Sequence, residues 1–268
     1  MFGRTTKSVL YLKSAEEIAR MRRAGIILNR VMKEVIAATV EGATGLELDK
    51  LAHSRIREAG ARPAFLHLYG FPNTLCISLN EAVVHGIPSK QPFVSGDIVS
   101  LDCGLVLDGF YSDMAYTVAV GDVSLEAQQL LRVTQESLYA GIAKALAGGR
   151  VGDIGTAIEK HIRPYGYFTA EGYTGHGIGR SLHEEPQVLN SSAERGKKML
   201  PGLVVAIEPM VNIGTGKTQE LSDQWTVVTK DRSLSAHYEH TVAVTEDGPL
   251  ILTAGDESAD SALSGTGS

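Results

Sequence analysis

The sequence predicts an α/β (α+β) protein made of two related halves, each a pair of helices followed by antiparallel strands. Three observations carry this. Helix-like and strand-like segments run in the order helix, helix, strands, helix, helix, strands. Short motifs recur in one order at a spacing of about 100 residues, the mark of an internal repeat. An Asp108-Gly109 pair between two apolar runs signals a two-residue hairpin.

The first helix is expected over 15–39. Ser14 and Glu17 form a capping-box pattern, and Ile18, Met21, Leu28, Met32 and Val35 follow helical spacing. The second opens near Thr44, with Glu47 three residues on, and stops around 60–63. Strands follow at 75–79, 98–107 and 110–120. Two more helices fit 124–147 and 153–163, separated by Gly148, Gly149 and Gly152. Further strands fit 204–213, 225–229 and 238–245. Residues 1–11 read as a flexible arm and 12–253 as a single domain, with halves at about 12–121 and 122–253. Residues 254–268, rich in Gly, Ser and Asp, read as a disordered tail.

The repeat is explicit. Gly96-Asp-Ile-Val-Ser-Leu-Asp102 resembles Gly202-Leu-Val-Val-Ala-Ile-Glu208, each a glycine with a carboxylate six residues later. Thr117-Val-Ala-Val120 recurs as Thr241-Val-Ala-Val244, and His85-Gly-Ile-Pro88 is matched by His183-Glu-Glu-Pro186. A site at the junction of the halves would receive residues from both.

Composition narrows the function classes. The net charge of −6 excludes a strongly basic nucleic-acid coat. Cys76 and Cys103, the two cysteines, fit a reducing compartment and exclude a disulfide scaffold or a cysteine-based zinc site. No apolar run is long enough for a membrane span, and the first residues lack a secretory signature, so a cytoplasmic location is expected. Gly214-Thr-Gly-Lys-Thr218 fails as a phosphate loop, because Val211 stands where the first glycine belongs. Arg20, Arg22, Arg23 and Arg30 read as a solvated helix face, with contact to ribosomal RNA the weaker alternative.

Four acids interrupt apolar runs: Asp102, Asp113, Glu208 and Glu239. The Asp108-Gly109 turn pairs Leu107 with Phe110, Gly104 with Asp113 and Asp102 with Ala115. Asp102 and Asp113 then share one face as diagonal neighbours ~7–8 Å apart, and the repeat predicts the same of Glu208 and Glu239. Four carboxylates converging in a core either hold protons with raised pKa values or are neutralised by cations. Two divalent cations would balance the charge, and an oxygen-rich set favours Mn, Fe, Co or Zn in a catalytic site. His176, inside Gly175-His-Gly-Ile-Gly-Arg180, is the candidate nitrogen ligand, with glycines on both sides for close approach. His85 and His183, related by the repeat, should face each other across the site and suit proton donation and oxyanion stabilisation. His67, His161, His237 and His240 have weaker claims, and His53 reads as surface.

These motifs together resemble the type I methionine aminopeptidases: NEAVVHGIP at 80–88, the strand pair with Asp102 and Asp113, GHGIGR with HEEP, IEPMV at 207–211 and YEHT at 238–241. The resemblance covers about residues 12–252. It implies the pita-bread fold, with two pseudo-twofold-related αα-ββ halves sharing a curved antiparallel sheet. It implies hydrolytic removal of the initiator methionine from nascent proteins by a hydroxide bridging two divalent metal ions (Co, Mn, Fe or Zn). The metal ligands it implies are Asp102, Asp113, His176, Glu208 and Glu239, with Asp113 and Glu239 shared between the ions. His85, His183 and Glu208 become the catalytic groups, Glu208 taking the proton of the water. The substrate contacts are His85, His183, Phe65, Leu68, Phe71, Cys76, Leu182 and Trp225. It further implies a cytoplasmic monomer acting on the N-terminal methionine of nascent chains, with transient ribosome contact and no membrane or specific DNA partner. The chain departs from the family at four points. Leu68 replaces an aromatic hydroxyl, Phe65 a cysteine, Leu182 a phenylalanine and Gly104 a threonine. The competing readings are a non-catalytic peptide- or RNA-binding module on the same fold, and an X-Pro exopeptidase.

Overall fold

A computed structural model describes residues 10–192 and 194–255. The expected arm at 1–11 and tail at 254–268 lie outside the described residues except for Leu10, Tyr11, Ala254 and Gly255.

The first half contains α1 (Ala15–Ala38), α2 (Gly45–Glu58), β1 (Arg62–Pro63), β2 (Leu75–Leu79), β3 (Ala82–Val84), β4 (Ile98–Leu107) and β5 (Phe110–Ala119). Both predicted capping boxes form, Ser14 with Glu17 and Thr44 with Glu47, so the first orphan N–H groups of each helix are satisfied locally. Met21, Leu28, Met32 and Val35 lie on the buried stripe of α1, which packs against β4 and β5. The β4–β5 hairpin has the predicted register, Leu107 opposite Phe110 and Gly104 opposite Asp113. Asp108 and Gly109 both have positive φ, as a type I′ turn requires.

The second half contains α3 (Leu125–Ile142), α4 (Val151–Ile162), β6 (Phe168–Thr169), β7 (Gly175–Gly177), β8 (Glu184–Val188), β9 (Val204–Ile207), β10 (Met210–Asn212), β11 (Thr218–Glu220), β12 (Val227–Thr229), β13 (Ser235–His237), β14 (His240–Thr245) and β15 (Gly248–Ile251). A five-stranded antiparallel sheet runs β15-β14-β9-β7-β8, and β12 reaches across to pair with β3 of the first half. Each pair of helices has its own apolar core, α1 and α2 over β4, α3 and α4 over β9 and β14. The fold is the mixed, antiparallel pita-bread arrangement expected. Among the described residues no helix is long and apolar enough to cross a membrane.

One expected strand is split and another starts later than expected. The run at 204–213 breaks between β9 and β10 at Glu208 and Pro209, because proline has no N–H for the ladder. The run at 238–245 begins only at His240, with Tyr238 and Glu239 forming the break between β13 and β14. Asp102 and Asp113 therefore lie within strands, whereas Glu208 and Glu239 lie at strand breaks. Two side chains also depart from the sequence reading. Arg22 is not a solvated face residue: its guanidinium donates to the carbonyls of Leu252 and Ala254. His53 is half-buried, its Nδ1 3.0 Å from Thr74 Oγ1.

The halves meet through a reciprocal exchange. Thr241 Oγ1 donates to Asp113 O (2.8 Å) and accepts from Asp113 N (3.1 Å). Thr117 Oγ1 donates to His237 O (2.8 Å) and accepts from His237 N (2.9 Å). Thr117 and Thr241 are repeat mates, and each completes the backbone of the residue four positions before its mate. Glu239 N also donates to Ala115 O (2.9 Å) and Tyr238 OH to Thr117 O (2.9 Å). The strand β5 thus meets the segment 237–241, at the start of β14, through side-chain hydroxyls and one backbone bond.

Thr241→Val keeps the side-chain shape but strands the buried Asp113 N–H and C=O. It should destabilise the metal-free protein by about 2–4 kcal/mol, with Thr241→Ser close to wild type. Urea unfolding checks this, and a Val variant as stable as wild type would contradict the role given to the seam.

Candidate active site

The β4–β5 hairpin, the β9–β10 break, the β13–β14 break and β7 converge on one cavity of about 620 Å³. Asp102, Asp113, His176, Glu208 and Glu239 all line it. Their placement follows from register. Asp102 and Gly104 share a face of β4, and Gly104 lies opposite Asp113, so the two aspartates are diagonal as expected. The glutamates differ from that expectation. His240 lies opposite Ile207, and continuing that register by one residue sets Glu239 directly opposite Glu208. The TVAV repeat explains why: it aligns Asp113 with His237 and Ala115 with Glu239. The second half has moved its acid two residues along the strand, which preserves the face.

The imidazole of His176 is fixed by its own backbone. Nδ1 lies 2.9 Å from Gly177 O. A carbonyl only accepts, so Nδ1 carries the hydrogen and Nε2 presents a lone pair. Nε2 is 3.4 Å from Glu208 Oε1 and 4.0 Å from Asp113 Oδ2. Burial holds the ring neutral, its pKa pulled down to about 4. The flanking glycines serve packing of the sheet. A Cβ on Gly175 would meet Ala206 O at 2.3 Å and one on Gly177 would meet Glu185 O at 2.2 Å, so β7 fits between its neighbours only without side chains there.

The carboxyls are in an environment hostile to charge. Burial pushes Asp102 up to about 7. Burial first, and then the neighbouring carboxyls, push Asp113, Glu208 and Glu239 well above the ordinary range. Among the described residues, the buried Asp102 Oδ1 and Glu239 Oε1 have no hydrogen-bond partner. Ligand atoms of Asp113, His176 and Glu239 all lie within 4.8 Å of one another. Unpartnered buried oxygens, mutual repulsion and one neutral nitrogen fit a divalent-cation site.

His85 and His183 line the same cavity. The His183 ring sits edge-on to His176, centroids 4.5 Å apart, and the His85 ring edge-on to Tyr173 at 6.0 Å. The loop bearing His183 is gripped by Glu184, which accepts from Arg180 N (2.7 Å) and Ser181 N (3.2 Å) and pairs with the buried Lys13 ammonium at 2.6 Å. Phe65, Leu68, Phe71, Cys76, Leu182 and Trp225 line the apolar side, with Trp225 edge-on to Phe71 at 5.2 Å. The cavity brings together every site residue expected from the sequence.

Sequence reasoning undervalued His237. Its Nε2 is buried and unpartnered among the described residues, and lies 3.8 Å from Glu208 Oε2. Glu208 therefore stands between two neutral imidazoles, burial having pulled His237 down to about 3. The TVAV alignment with Asp113 was the signal that could have found it. Tyr69, whose ring is parallel to His183 at 6.3 Å, was also missed, since only the loop conformation brings it to the mouth.

Comparison with known proteins agrees with this geometry. Residues 19–246 match metallopeptidase family M24. A methionine aminopeptidase of Clostridium perfringens is 47% identical over 91% of this chain and 99% of its own length. The crystal structure of methionine aminopeptidase from Rickettsia prowazekii superposes with a TM-score of 0.90 at 37% identity, over 92% of this chain and 100% of that one. A prolidase from Pyrococcus furiosus shares the fold at 23% identity and a TM-score of 0.75. With its acid cluster, its neutral histidines and these relatives, the chain belongs to metallopeptidase family M24, among the methionine aminopeptidases.

Proposed function

We propose that this protein removes the N-terminal methionine from nascent polypeptides in the cytoplasm, using two divalent cations that Asp102, Asp113, His176, Glu208 and Glu239 would hold. The observation that carries the reading is the cavity's two-sided character: an acid cluster beside an apolar recess lined by Phe65, Leu68, Phe71, Cys76, Leu182 and Trp225. When bound, the cations lower the pKa of water and polarise the scissile carbonyl.

The chain's own groups supply the rest. The recess takes the unbranched thioether side chain, which sets the first peptide bond beside the acids. Asp102, with a buried oxygen lacking a partner, meets the free α-amine, which only a chain terminus offers. Glu208, between His176 and His237, accepts the proton of the attacking water. His183 donates a hydrogen bond to the carbonyl oxygen as charge develops there, Glu208 passes the proton it took from water to the departing nitrogen, and His85 orients that nitrogen by a hydrogen bond. Both histidines are held neutral by burial, so each presents one N–H without adding a positive charge beside the cations.

Metal-stripped protein should not hydrolyse Met-Ala-Ser, and adding back Mn, Fe, Co or Zn should restore turnover, with Ala-Pro-Ala remaining uncut. Turnover indifferent to chelator, or preference for Ala-Pro-Ala, would contradict the reading. Glu208→Ala should lower kcat by at least about a hundredfold and weaken metal occupancy; unchanged rates would remove Glu208 from the reaction. Asp113→Asn subtracts one of four repelling carboxyls. Metal-free, it should melt no lower than metal-free wild type. With Mn²⁺ at about 100 Kd, wild type should gain about 2.7 kcal/mol and the variant little. An equal gain in both would show that Asp113 holds no cation.

A further inference from the structure

Gly104 and Phe65, two of the four departures from the family, touch each other. Gly104 lies on the cavity face of β4, two residues beyond Asp102 and opposite Asp113. A Cβ built there would stand 2.8 Å from Phe65 Cε1, 3.2 Å from Phe65 Cζ and 2.9 Å from Ala64 Cβ. The first and last distances are shorter than carbon atoms tolerate. Ala64 can give by a few tenths of an ångström with its backbone, whereas the Phe65 ring, the far end of a rotatable side chain, is the group that must turn away. The strand before Ala64 is paired to β4 at Arg62 and Pro63, and Ala64 N donates to Gly104 O at 2.9 Å. Any side chain at 104 therefore has to displace the Phe65 ring. That ring is 7% exposed and lines the cavity beside Phe71, Cys76 and Leu182.

We infer that Phe65, seated over the bare Cα of Gly104, is the specificity-determining wall of the recess and excludes first side chains larger than methionine. The inference rests on the proposed function, since it takes the recess as the site of the first side chain. Gly104 admits the ring and Phe65 then fills space that a smaller residue would leave to substrate. The two positions act as one unit, so substitutions at them should be strongly non-additive.

The test compares Mn²⁺-loaded wild type, Phe65→Ala, Gly104→Ala and the double variant on Met-Ala-Ser, Leu-Ala-Ser and Phe-Ala-Ser. For Phe65→Ala, kcat/KM for Phe-Ala-Ser relative to Met-Ala-Ser should rise about tenfold or more. For Gly104→Ala, the ring turned into the recess should raise KM for Met-Ala-Ser about tenfold, with kcat within about threefold. In the double variant KM should return to the Phe65→Ala value. If Gly104→Ala alone does not fold, recovery of folded, active protein in the double variant shows the same coupling. Selectivity unchanged in Phe65→Ala while wild type cleaves Met-Ala-Ser would overturn this inference alone. Additive effects, or a double variant no better than Gly104→Ala, would also overturn it. Wild type inactive on all three peptides would remove the proposed function and this inference together.

Discussion

Burial of four carboxyls in one cavity is the constraint on which the rest of the structure turns. Like charges at this separation in a medium of low polarity repel strongly, and each loses its hydration. The fold answers by making the approach rigid. The β4–β5 hairpin fixes Asp102 and Asp113 by register. The threonine exchange ties Asp113 to Thr241 and His237 to Thr117 across the junction of the halves. Rigidity leaves the acids unable to turn to solvent, and Asp102 Oδ1 and Glu239 Oε1 remain without hydrogen-bond partners among the described residues. An acid cluster held this way is poised for cations.

The pseudo-twofold arrangement supplies symmetric scaffolding for asymmetric chemistry. The strand pairs, the TVAV segments and the two histidines of the His-x-x-Pro motifs come from both halves, yet corresponding positions carry different groups. Asp113 corresponds to His237 and Ala115 to Glu239. One half offers an aspartate where the other offers a neutral imidazole beside Glu208. The apolar side of the cavity draws mainly on the first half, from the segment at 65–71 and from Cys76 in β2, with Leu182 and Trp225 from the second. The acid cluster and the recess are thus built by different parts of the chain, which lets the pocket vary while the ligands stay.

Much of this was legible in the sequence because it depends on local rules. The capping boxes located the starts of α1 and α2, and the Asp108-Gly109 turn set the register that makes Asp102 and Asp113 neighbours. The repeat pointed to a junction site and to the glutamates. What escaped needs the third dimension. The glutamates face each other because the second half carries its acid at the position that matches Ala115, not Asp113, as the pairing of the strands makes plain. Arg22 finds its carbonyl partners more than 200 residues away, and Lys13 finds Glu184 at a separation of 171. Gly104 and Phe65 were visible as separate oddities, and only their contact makes them one feature.

Anomalous scattering from crystals loaded with Mn²⁺ tests the central claim most directly. The account predicts two adjacent peaks in the cavity, with Asp102, Asp113, His176, Glu208 and Glu239 as ligands and Asp113 and Glu239 touching both. No peak among these side chains at saturating Mn²⁺, or peaks bound only elsewhere, would contradict it.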